Sequence, residues 1–114
     1  MRILIDIGHP AHVHLFRNLA LELLSEGSEV LFTCREKEFE TELLKHYGLP
    51  YKSLGRKYSG MAGKVFGIFR FGVSEYLEGI RFNPDLLLSH GSYIAAHASA
   101  LLRKPHIALE DTFN

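Results

Sequence analysis

Two short segments of the sequence combine glycine and histidine directly before a predicted helix. The first is GHPAH at residues 8–12, and the second is HGS at residues 90–92. Backbone N–H groups and the positive end of the dipole bind anions such as phosphate at a helix N-terminus, and Gly8 would allow a tight turn there. The sequence therefore predicts two anion sites, which would adjoin if the two segments lie side by side.

His12 is the candidate catalytic residue. It is predicted to lie at the start of the first helix, where the dipole disfavours an imidazolium and keeps the ring neutral, the form that a general base needs. The alternative is that His12 only caps the helix or contacts a ligand phosphate. The neighbouring His9 and His14 do not predict a metal site, because His12 and His14 point to different helix faces and no carboxylate or cysteine completes a ligand set.

The other candidate residues are expected to bind substrate. Ser92 has the alternative role of a helix N-cap. Glu110 and Asp111 follow the fifth predicted strand and would accept hydrogen bonds from sugar hydroxyls, or else be solvated loop acids. Asp6 ends the first strand and is expected either to orient a histidine or to bond nearby backbone amides. The predicted substrate-binding residues are Gly8, His9, His14, His90, Gly91, Ser92, Tyr93, Glu110 and Asp111.

The first predicted loop does not have the pattern of a dinucleotide site. Such a site needs the motif GxGxxG after the first strand and an acidic residue near the end of the second. This sequence has Gly8 alone, and Thr33, Cys34 and Arg35 stand where the acid is expected. We therefore expect no nicotinamide cofactor, and no other cofactor is predicted.

The elements that must position these residues alternate between strands and helices. Short β-branched or leucine-rich runs predict strands at residues 2–6, 29–33, 51–54, 85–89 and 106–109. Longer stretches of helical periodicity separate them, which predicts an α/β, Rossmann-like, three-layer fold with a parallel sheet. Right-handed crossovers favour the strand order 3-2-1-4-5. Ligands of such sheets bind at the carboxyl ends of the strands where the order reverses, so both glycine segments are expected to face one crevice.

Four helices are predicted between the strands. The first carries an apolar stripe formed by Phe16, Leu19, Ala20, Leu23 and Leu24. Gly27 follows it where a left-handed C-terminal residue belongs, and the second helix ends in the same way at Gly48. Residues 57–82 contain several aromatic and basic side chains. They predict either a crossover helix packed on the sheet or a surface that docks on a membrane or a lipid-linked acceptor.

Composition indicates one domain, residues 1–114, because a chain of 114 residues with 46% hydrophobic content can bury a core of its own. Thirteen basic and thirteen acidic residues cancel, so nucleic acid is not an expected partner. Cys34 is the single cysteine, which favours a reducing compartment. The first apolar run is too short for a signal peptide or a membrane span. We expect a cytoplasmic protein, with peripheral contact at the inner face of the membrane if residues 57–82 dock there.

Three segments together resemble the MurG-type N-acetylglucosaminyltransferases, which glycosylate a lipid-linked muropeptide. They are GHPAHVHLFRNLALELLSEGSEV, NPDLLLSHGSYIAAHASALLRKP and HIALEDTFN. The opening IDIGHPAHVHLF is closer still to an uncharacterised archaeal and bacterial family of glycosyltransferase-like proteins related to UDP-N-acetylglucosamine 2-epimerases. The resemblance implies the N-terminal, acceptor-side half of a two-domain GT-B architecture. In that setting His12 matches the family histidine at the cleft, Gly91, Ser92 and Tyr93 match an acceptor-side loop, and Glu110 matches the acid after the fifth strand.

The function that this resemblance implies is acceptor binding in a glycosyltransferase-like protein that takes a sugar from a nucleotide-sugar. The nucleotide-sugar would bind a C-terminal domain, for which no sequence follows Asn114. We therefore expect a truncated piece or a short gene product that is inactive alone. Pro10 and Ala11 stand where the family has glycines, which departs from its lipid-diphosphate loop. Two alternatives remain open, a UDP-sugar 2-epimerase-like enzyme and a non-catalytic binding module that completes its surface by forming oligomers.

Self-association of the isolated chain is also expected. The fifth strand lies at a predicted sheet edge, and residues 106–109 carry no lysine or internal proline that would block pairing with another strand. An exposed apolar surface is most simply buried by a closed two-fold contact. The sequence predicts a homodimer formed through this strand or through residues 57–82.

Overall fold

A computed structural model describes residues 1–8, 10–36, 40–56, 61–90 and 93–108 of the chain. Strands and helices alternate through these residues, as predicted. In chain order the elements are β1 (Arg2–Ile7), α1 (Pro10–Ser25), β2 (Glu29–Glu36), α2 (Glu40–His46), β3 (Tyr51–Arg56), α3 (Met61–Phe82), β4 (Leu86–Ser89), α4 (Tyr93–Leu102) and β5 (His106–Ala108).

The strands form one parallel sheet in the order β3-β2-β1-β4-β5. The predicted order and the Rossmann-like α/β fold are thus confirmed. Strands β1, β2 and β3 extend beyond their predicted ends, to Ile7, Glu36 and Arg56. Backbone pairing carries the strands further, because Ile7 pairs with Cys34 and Glu36 pairs with Arg56, and the residue types at a strand end do not show how far a neighbouring strand reaches.

The two faces of the sheet are covered by different pairs of helices. Ile3, Ile5 and Ile7 of β1 lie on the face that α1 and α2 cover, in a core cluster that also contains Phe16, Phe32, Cys34 and Leu44. Leu4 points to the other face and packs with Leu87 and Ala98, where α3 and α4 lie. This burial on both faces explains why β1 reads as a nearly continuous apolar run.

Helix α1 buries a slightly different stripe from the predicted one. Phe16 and Ala20 are buried, and Leu23 and Leu24 pack against the same cluster, as expected. Leu19 is exposed instead, and Val13 takes a place in the core. The contacting face of α1 is therefore rotated toward Val13, which leaves Leu19 at its solvent-facing margin.

Both of the first two helices end in a glycine with a left-handed backbone, as predicted. Gly27 has φ +90° and Gly48 has φ +67°. Beyond α1, the Gly27 N–H donates to the Leu24 carbonyl and the Ser28 N–H to the Leu23 carbonyl. The N–H groups of Gly48 and Leu49 make the matching pair of bonds beyond α2. Each pair is a Schellman motif, which satisfies carbonyl groups at the helix end and turns the chain toward the next strand.

Helix α3 forms the crossover between β3 and β4, as one of the two predictions for residues 57–82 requires. Phe71 is buried with Leu54 of β3. The helix also carries a continuous exposed apolar stripe, which consists of Val65, Phe66, Phe69, Val73, Leu77 and Ile80. No helix in the described part of the chain has both the length and the apolar character needed to cross a membrane.

Candidate functional site

The rings of His12 and His90 meet at the carboxyl ends of β1 and β4. His12 lies in the first turn of α1 and His90 directly follows β4, and their ring centroids are 4.6 Å apart. The two strands are adjacent and parallel, so the chain segments that leave them emerge at the same edge of the sheet. The two predicted segments therefore lie at the same edge of the sheet, as the contact between His12 and His90 shows, while Gly91 and Ser92 lie outside the described residues.

A hydrogen bond from Gly8 indicates which tautomer of the His12 ring is present. The Gly8 N–H donates to Nδ1 of His12 at 3.1 Å, so Nδ1 must carry a lone pair. A neutral imidazole with an accepting Nδ1 has its proton on Nε2. In this geometry His12 offers an N–H donor at Nε2, whereas a general base acting through Nε2 needs the opposite tautomer.

Gly8 has a different role from the predicted one. Its φ is not in the left-handed region, in contrast to Gly27, Gly48 and Gly55. The guanidinium of Arg35, at the end of β2, packs against Gly8 so closely that any Cβ there would collide with it. Glycine therefore provides room for the Arg35 side chain.

Below Gly8, a row of buried polar side chains crosses three strands on the face that α3 and α4 cover. Asp6 of β1 lies between Thr33 of β2 and Ser89 of β4 in the strand register. All three are buried, and the Thr33 hydroxyl donates to Asp6 Oδ1 at 3.1 Å. Arg35 Nη2 lies 3.5 Å from Asp6 Oδ2, which makes an ion pair of a buried carboxylate with a largely buried guanidinium.

The interactions of Asp6 differ from both sequence-based expectations. Neither a histidine nor a backbone amide is its hydrogen-bond partner within the described ranges, and its contacts are with other side chains. Spacing along one strand could not reveal this, because the partners come from β2 and α3.

Glu75 of α3 completes this polar group from above the sheet. It is fully buried, and neither of its carboxyl oxygens has a hydrogen-bond partner among the described residues. Burial, and then the negative charge of Asp6, raise the pKa of Glu75 well above its usual 4.5. Sequence reasoning missed Glu75, although a signal exists. Phe71, Glu75 and Gly79 follow one another at a spacing of four and are all buried, so a carboxyl group occupies a sheet-facing position of α3.

His106 of β5 extends the polar row to the edge of the sheet. Its Nε2 lies 2.7 Å from the Ser89 hydroxyl oxygen. Burial lowers the pKa of His106 from 6.5, and the charge of Asp6 opposes that change. His106 was predicted only as a strand residue, because a single histidine at the start of a short strand carries no pattern.

The remaining predicted site residues are placed as follows. His14 is exposed and makes an edge contact with Tyr47, with ring centroids 6.0 Å apart, on a different side of α1 from His90. Tyr93 begins α4. His9, Gly91, Ser92, Glu110 and Asp111 lie outside the described residues, so their roles stay predictions. No group of three or more histidine, cysteine or acidic residues within the described ranges could hold a metal ion.

The sheet order, with two polar segments at its switch point, defines a Rossmann-like α/β domain of the kind found in GT-B glycosyltransferases. MurG from Acinetobacter baumannii matches it with a TM-score of 0.79 and 20% identity over 96% of this chain and 35% of MurG. Glycosyltransferase VinC in complex with dTDP matches with a TM-score of 0.74 and 15% identity over 96% of this chain and 34% of VinC. By sequence, the chain belongs to the family described as "Protein of unknown function (DUF354)", whose model matches residues 1–107.

UDP-GlcNAc 2-epimerases share the same fold. The enzyme from Neisseria meningitidis, bound to UDP-GlcNAc, matches with a TM-score of 0.75 and 16% identity over 93% of this chain and 31% of the epimerase. The chain spans about a third of the length of these solved structures. No curated protein matches the chain in sequence. The likeness implied by the sequence resemblance is thus confirmed at the level of the glycosyltransferase-like fold.

Proposed function

We propose that this chain is the acceptor-binding, N-terminal half of a glycosyltransferase-like enzyme that uses a nucleotide-sugar. His12 acts at the reacting oxygen of the acceptor, and a C-terminal domain holds the donor. The observation that carries this proposal is the contact between His12 and His90, with ring centroids 4.6 Å apart at the switch point of the sheet. One ligand in that crevice would reach both segments, which is where open α/β sheets bind their ligands.

The solved structures of similar fold support the nucleotide-sugar part of the proposal. VinC is in complex with dTDP, and the Neisseria meningitidis epimerase is bound to UDP-GlcNAc. Each of those chains is about three times as long as this one, so this domain corresponds to a part of each. We propose that the nucleotide is bound mainly outside residues 1–114, and that this domain supplies the opposite wall of the cleft.

We propose that His12 is the general base that deprotonates the acceptor hydroxyl. For that role Nε2 must accept a proton, so acceptor binding has to break the hydrogen bond from Gly8 to Nδ1 and move the ring proton to Nδ1. The present hydrogen bond favours a second role for His12, as a donor from Nε2–H to a phosphate or sugar oxygen. A His12→Gln variant distinguishes the two roles, because glutamine can donate a hydrogen bond from its N–H but cannot act as a base.

The test is a sugar-transfer assay with a complete two-domain protein that contains this domain. His12→Ala is expected to lower turnover by about a hundredfold or more, as the loss of a general base does. In the base role His12→Gln is as impaired as His12→Ala, and in the donor role it keeps most of the activity. His46→Ala is the matched control, because His46 is an exposed helical histidine that contacts Tyr47 and not His90. Unchanged turnover in His12→Ala would contradict a catalytic role and support the alternative in which His12 only caps the helix.

The shared fold of the epimerases favours a second candidate function, a UDP-sugar 2-epimerase-like activity. Such an enzyme acts on the donor sugar itself and needs no acceptor. Incubating the two-domain protein with a UDP-sugar alone distinguishes the two functions. Inversion at the sugar without acceptor would establish the epimerase, and UDP release that depends on an added acceptor would establish the transferase.

A further inference from the structure

The guanidinium of Arg35 lies over the end of the neighbouring strand β1. Ile7 pairs with Cys34 in the strand register, so Gly8 and Arg35 are the next residues along β1 and β2. The guanidinium occupies the space that a Cβ at Gly8 would need. The side chain thus reaches from β2 to β1, the strand whose other neighbour is β4, and β1 and β4 end together at the switch point of the sheet.

Asp6 faces this guanidinium from the interior of the sheet. Asp6 and Gly8 are two residues apart in one strand direction, so they belong to the same face of the sheet. Asp6 Oδ1 accepts a hydrogen bond from Thr33, and Asp6 Oδ2 lies 3.5 Å from Nη2 of Arg35. Asp6 is the single ion-pair partner of Arg35 among the described residues. A guanidinium carries N–H donors on three nitrogens, so Asp6 orients the cation and leaves most of these donors to other acceptors.

The donors of Arg35 are largely unused. Within the described ranges, the guanidinium donates no hydrogen bond, although only 17% of the side chain is exposed. Its distance of 3.5 Å to Asp6 exceeds the roughly 2.7–2.9 Å of a charge-assisted hydrogen bond. A largely buried cation normally makes several hydrogen bonds, because its removal from water is otherwise unfavourable. These N–H groups therefore suit an acceptor atom of a ligand at the end of β1.

The N–H of Gly8, one of the backbone donors expected to bind an anion, is already used. It donates to Nδ1 of His12 at 3.1 Å, and glycine offers no side chain. An anion at the end of β1 therefore depends on side-chain donors. The ring of His12 and the guanidinium of Arg35 both contact Gly8, the first at its N–H and the second at the position of the absent Cβ.

We propose that Arg35 is a binding residue of the crevice, which takes an acidic group of the ligand, a phosphate or a carboxylate, on the N–H groups that Asp6 leaves unoccupied. Both groups match the planar fork of guanidinium donors, which forms paired hydrogen bonds with either. Because Asp6 balances the charge of Arg35, the affinity comes from these directed hydrogen bonds more than from net charge. That the ligand is a glycosyl acceptor rests on the proposed function, whereas the binding of an oxyanion by Arg35 does not.

The test is a titration of the full chain with sodium phosphate and, separately, with sodium acetate at pH 7 and constant ionic strength. NMR signals of the Gly8 amide and of the Arg35 Nε–H report binding at the end of β1. We expect a saturable change with a Kd in the millimolar range, because so small a ligand makes few contacts. A response to phosphate, to acetate or to both supports the proposal and identifies the acidic group. No saturable change up to tens of millimolar of either anion would overturn it.

Two substitutions of Arg35 test whether its donors hold the anion. Arg35→Gln and Arg35→Lys should each weaken binding by roughly tenfold or more, the effect of losing hydrogen bonds to a charged group. Arg35→Lys keeps a positive charge opposite Asp6, which protects the fold, but lacks the planar fork. Arg17→Gln is the matched control, because Arg17 lies over the Tyr47 ring and should bind the anion as the wild type does. A folded Arg35→Lys chain with wild-type affinity would overturn the proposal.

Binding of UDP by the two-domain protein shows which ligand carries the acidic group. The nucleotide is proposed to bind mainly outside residues 1–114, so Arg35→Gln should leave the affinity for UDP unchanged. A tenfold loss of that affinity would assign the acidic group to the nucleotide, which contradicts the acceptor part of the proposed function and supports anion binding by Arg35. Normal turnover in His12→Ala, together with anion binding that depends on Arg35, would contradict the proposed function alone.

Discussion

At the residue scale, the close packing of Arg35 against Gly8 connects the candidate site to the buried polar side chains of the sheet. A glycine is usually explained by its backbone freedom, but Gly8 does not have a positive φ. Instead, the Arg35 guanidinium occupies the space that a Cβ at Gly8 would need. The collision that a Cβ would cause involves the end of a flexible side chain, so the side chain and not the backbone has to move. The first effect of a substitution would therefore fall on the ion pair between Arg35 and Asp6.

We expect Gly8→Ala to fold but to lose about 1–3 kcal/mol of unfolding free energy, because the displaced Arg35 leaves the buried Asp6 carboxylate poorly compensated. Chemical denaturation measures the change. Gly72→Ala is the matched control, since Gly72 lies within α3 and nothing lies within 4 Å of an added Cβ. It should raise stability by roughly 0.5–1 kcal/mol, because alanine is the better helix former. Equal effects of the two substitutions would show that Arg35 does not depend on the space at Gly8.

The buried carboxyl of Glu75 predicts a specific dependence of stability on pH. Because its folded-state pKa is raised, the folded chain keeps a proton that the unfolded chain has already released above pH 4.5. The contribution of Glu75 is therefore fully present below that pH and is lost as the pH rises toward the folded-state pKa. Glu75→Gln has no proton to lose, so its stability relative to the wild type should rise by at most about 1.4 kcal/mol per pH unit across this window.

Denaturation of both proteins between pH 4 and 8 measures this difference. Glu42→Gln is the control, because it makes the same chemical change at an exposed position on α2, away from the buried polar group. A flat difference for Glu75→Gln as well would mean that Glu75 is solvated in the folded chain.

At the element scale, the helix ends show which part of the fold is locally encoded. Gly27 and Gly48 were predicted to end α1 and α2 because glycine adopts the left-handed backbone most easily, and both have positive φ. The strand order followed equally from local patterns and crossover handedness. Strand lengths and the exposure of Leu19 did not follow, because they depend on how far a neighbouring element reaches and at what angle it packs.

Gly27→Ala should lower the unfolding free energy by about 1 kcal/mol or somewhat more. Nothing lies within 4 Å of an added Cβ at Gly27, so the substitution isolates the energy of a left-handed backbone from any steric effect. Thermal and chemical denaturation both measure it. If Gly27→Ala were as stabilising as Gly72→Ala, the C-terminal turn of α1 would not have the conformation described.

The candidate site was predictable only where it follows the topology. His12 and His90 were expected to meet because they follow adjacent parallel strands, and they do so. The partnership of Asp6, Arg35 and Glu75 depends on three elements that are far apart in sequence. Neither spacing nor composition encodes which side chains will share a buried volume, so the buried polar group beneath Gly8 emerges only once the packing is known.

At the scale of the whole molecule, two exposed apolar surfaces are available for contact with a partner. The first is the stripe on α3, where Phe69 is 73% exposed, and the second is the edge strand β5, where Ile107 is 49% exposed. We expect the isolated chain to form a two-fold homodimer, because a closed contact buries such a surface on both copies at once. Sedimentation at tens of micromolar measures the oligomeric state.

Single substitutions show which feature forms the contact. Phe69→Lys should give monomers if α3 is the interface, and Ile107→Lys should give monomers if β5 is. Leu21→Lys is the control, because Leu21 is an exposed leucine on α1, away from both features. A monomeric wild-type chain at these concentrations would contradict the homodimer and leave both surfaces to other partners.

The burial of Cys34 makes it possible to measure how often the protein core opens. Cys34 lies in β2 between β1 and β3, is fully buried in the larger core cluster and is the single cysteine of the chain. A thiol reagent can reach it only after the core between the sheet and helices α1 and α2 opens, and thiolate chemistry is fast once access is given. The labelling rate of the unmodified protein therefore reports how often this core opens. Because β2 also carries Thr33 and Arg35, the same rate would reveal whether ligand in the crevice slows that opening.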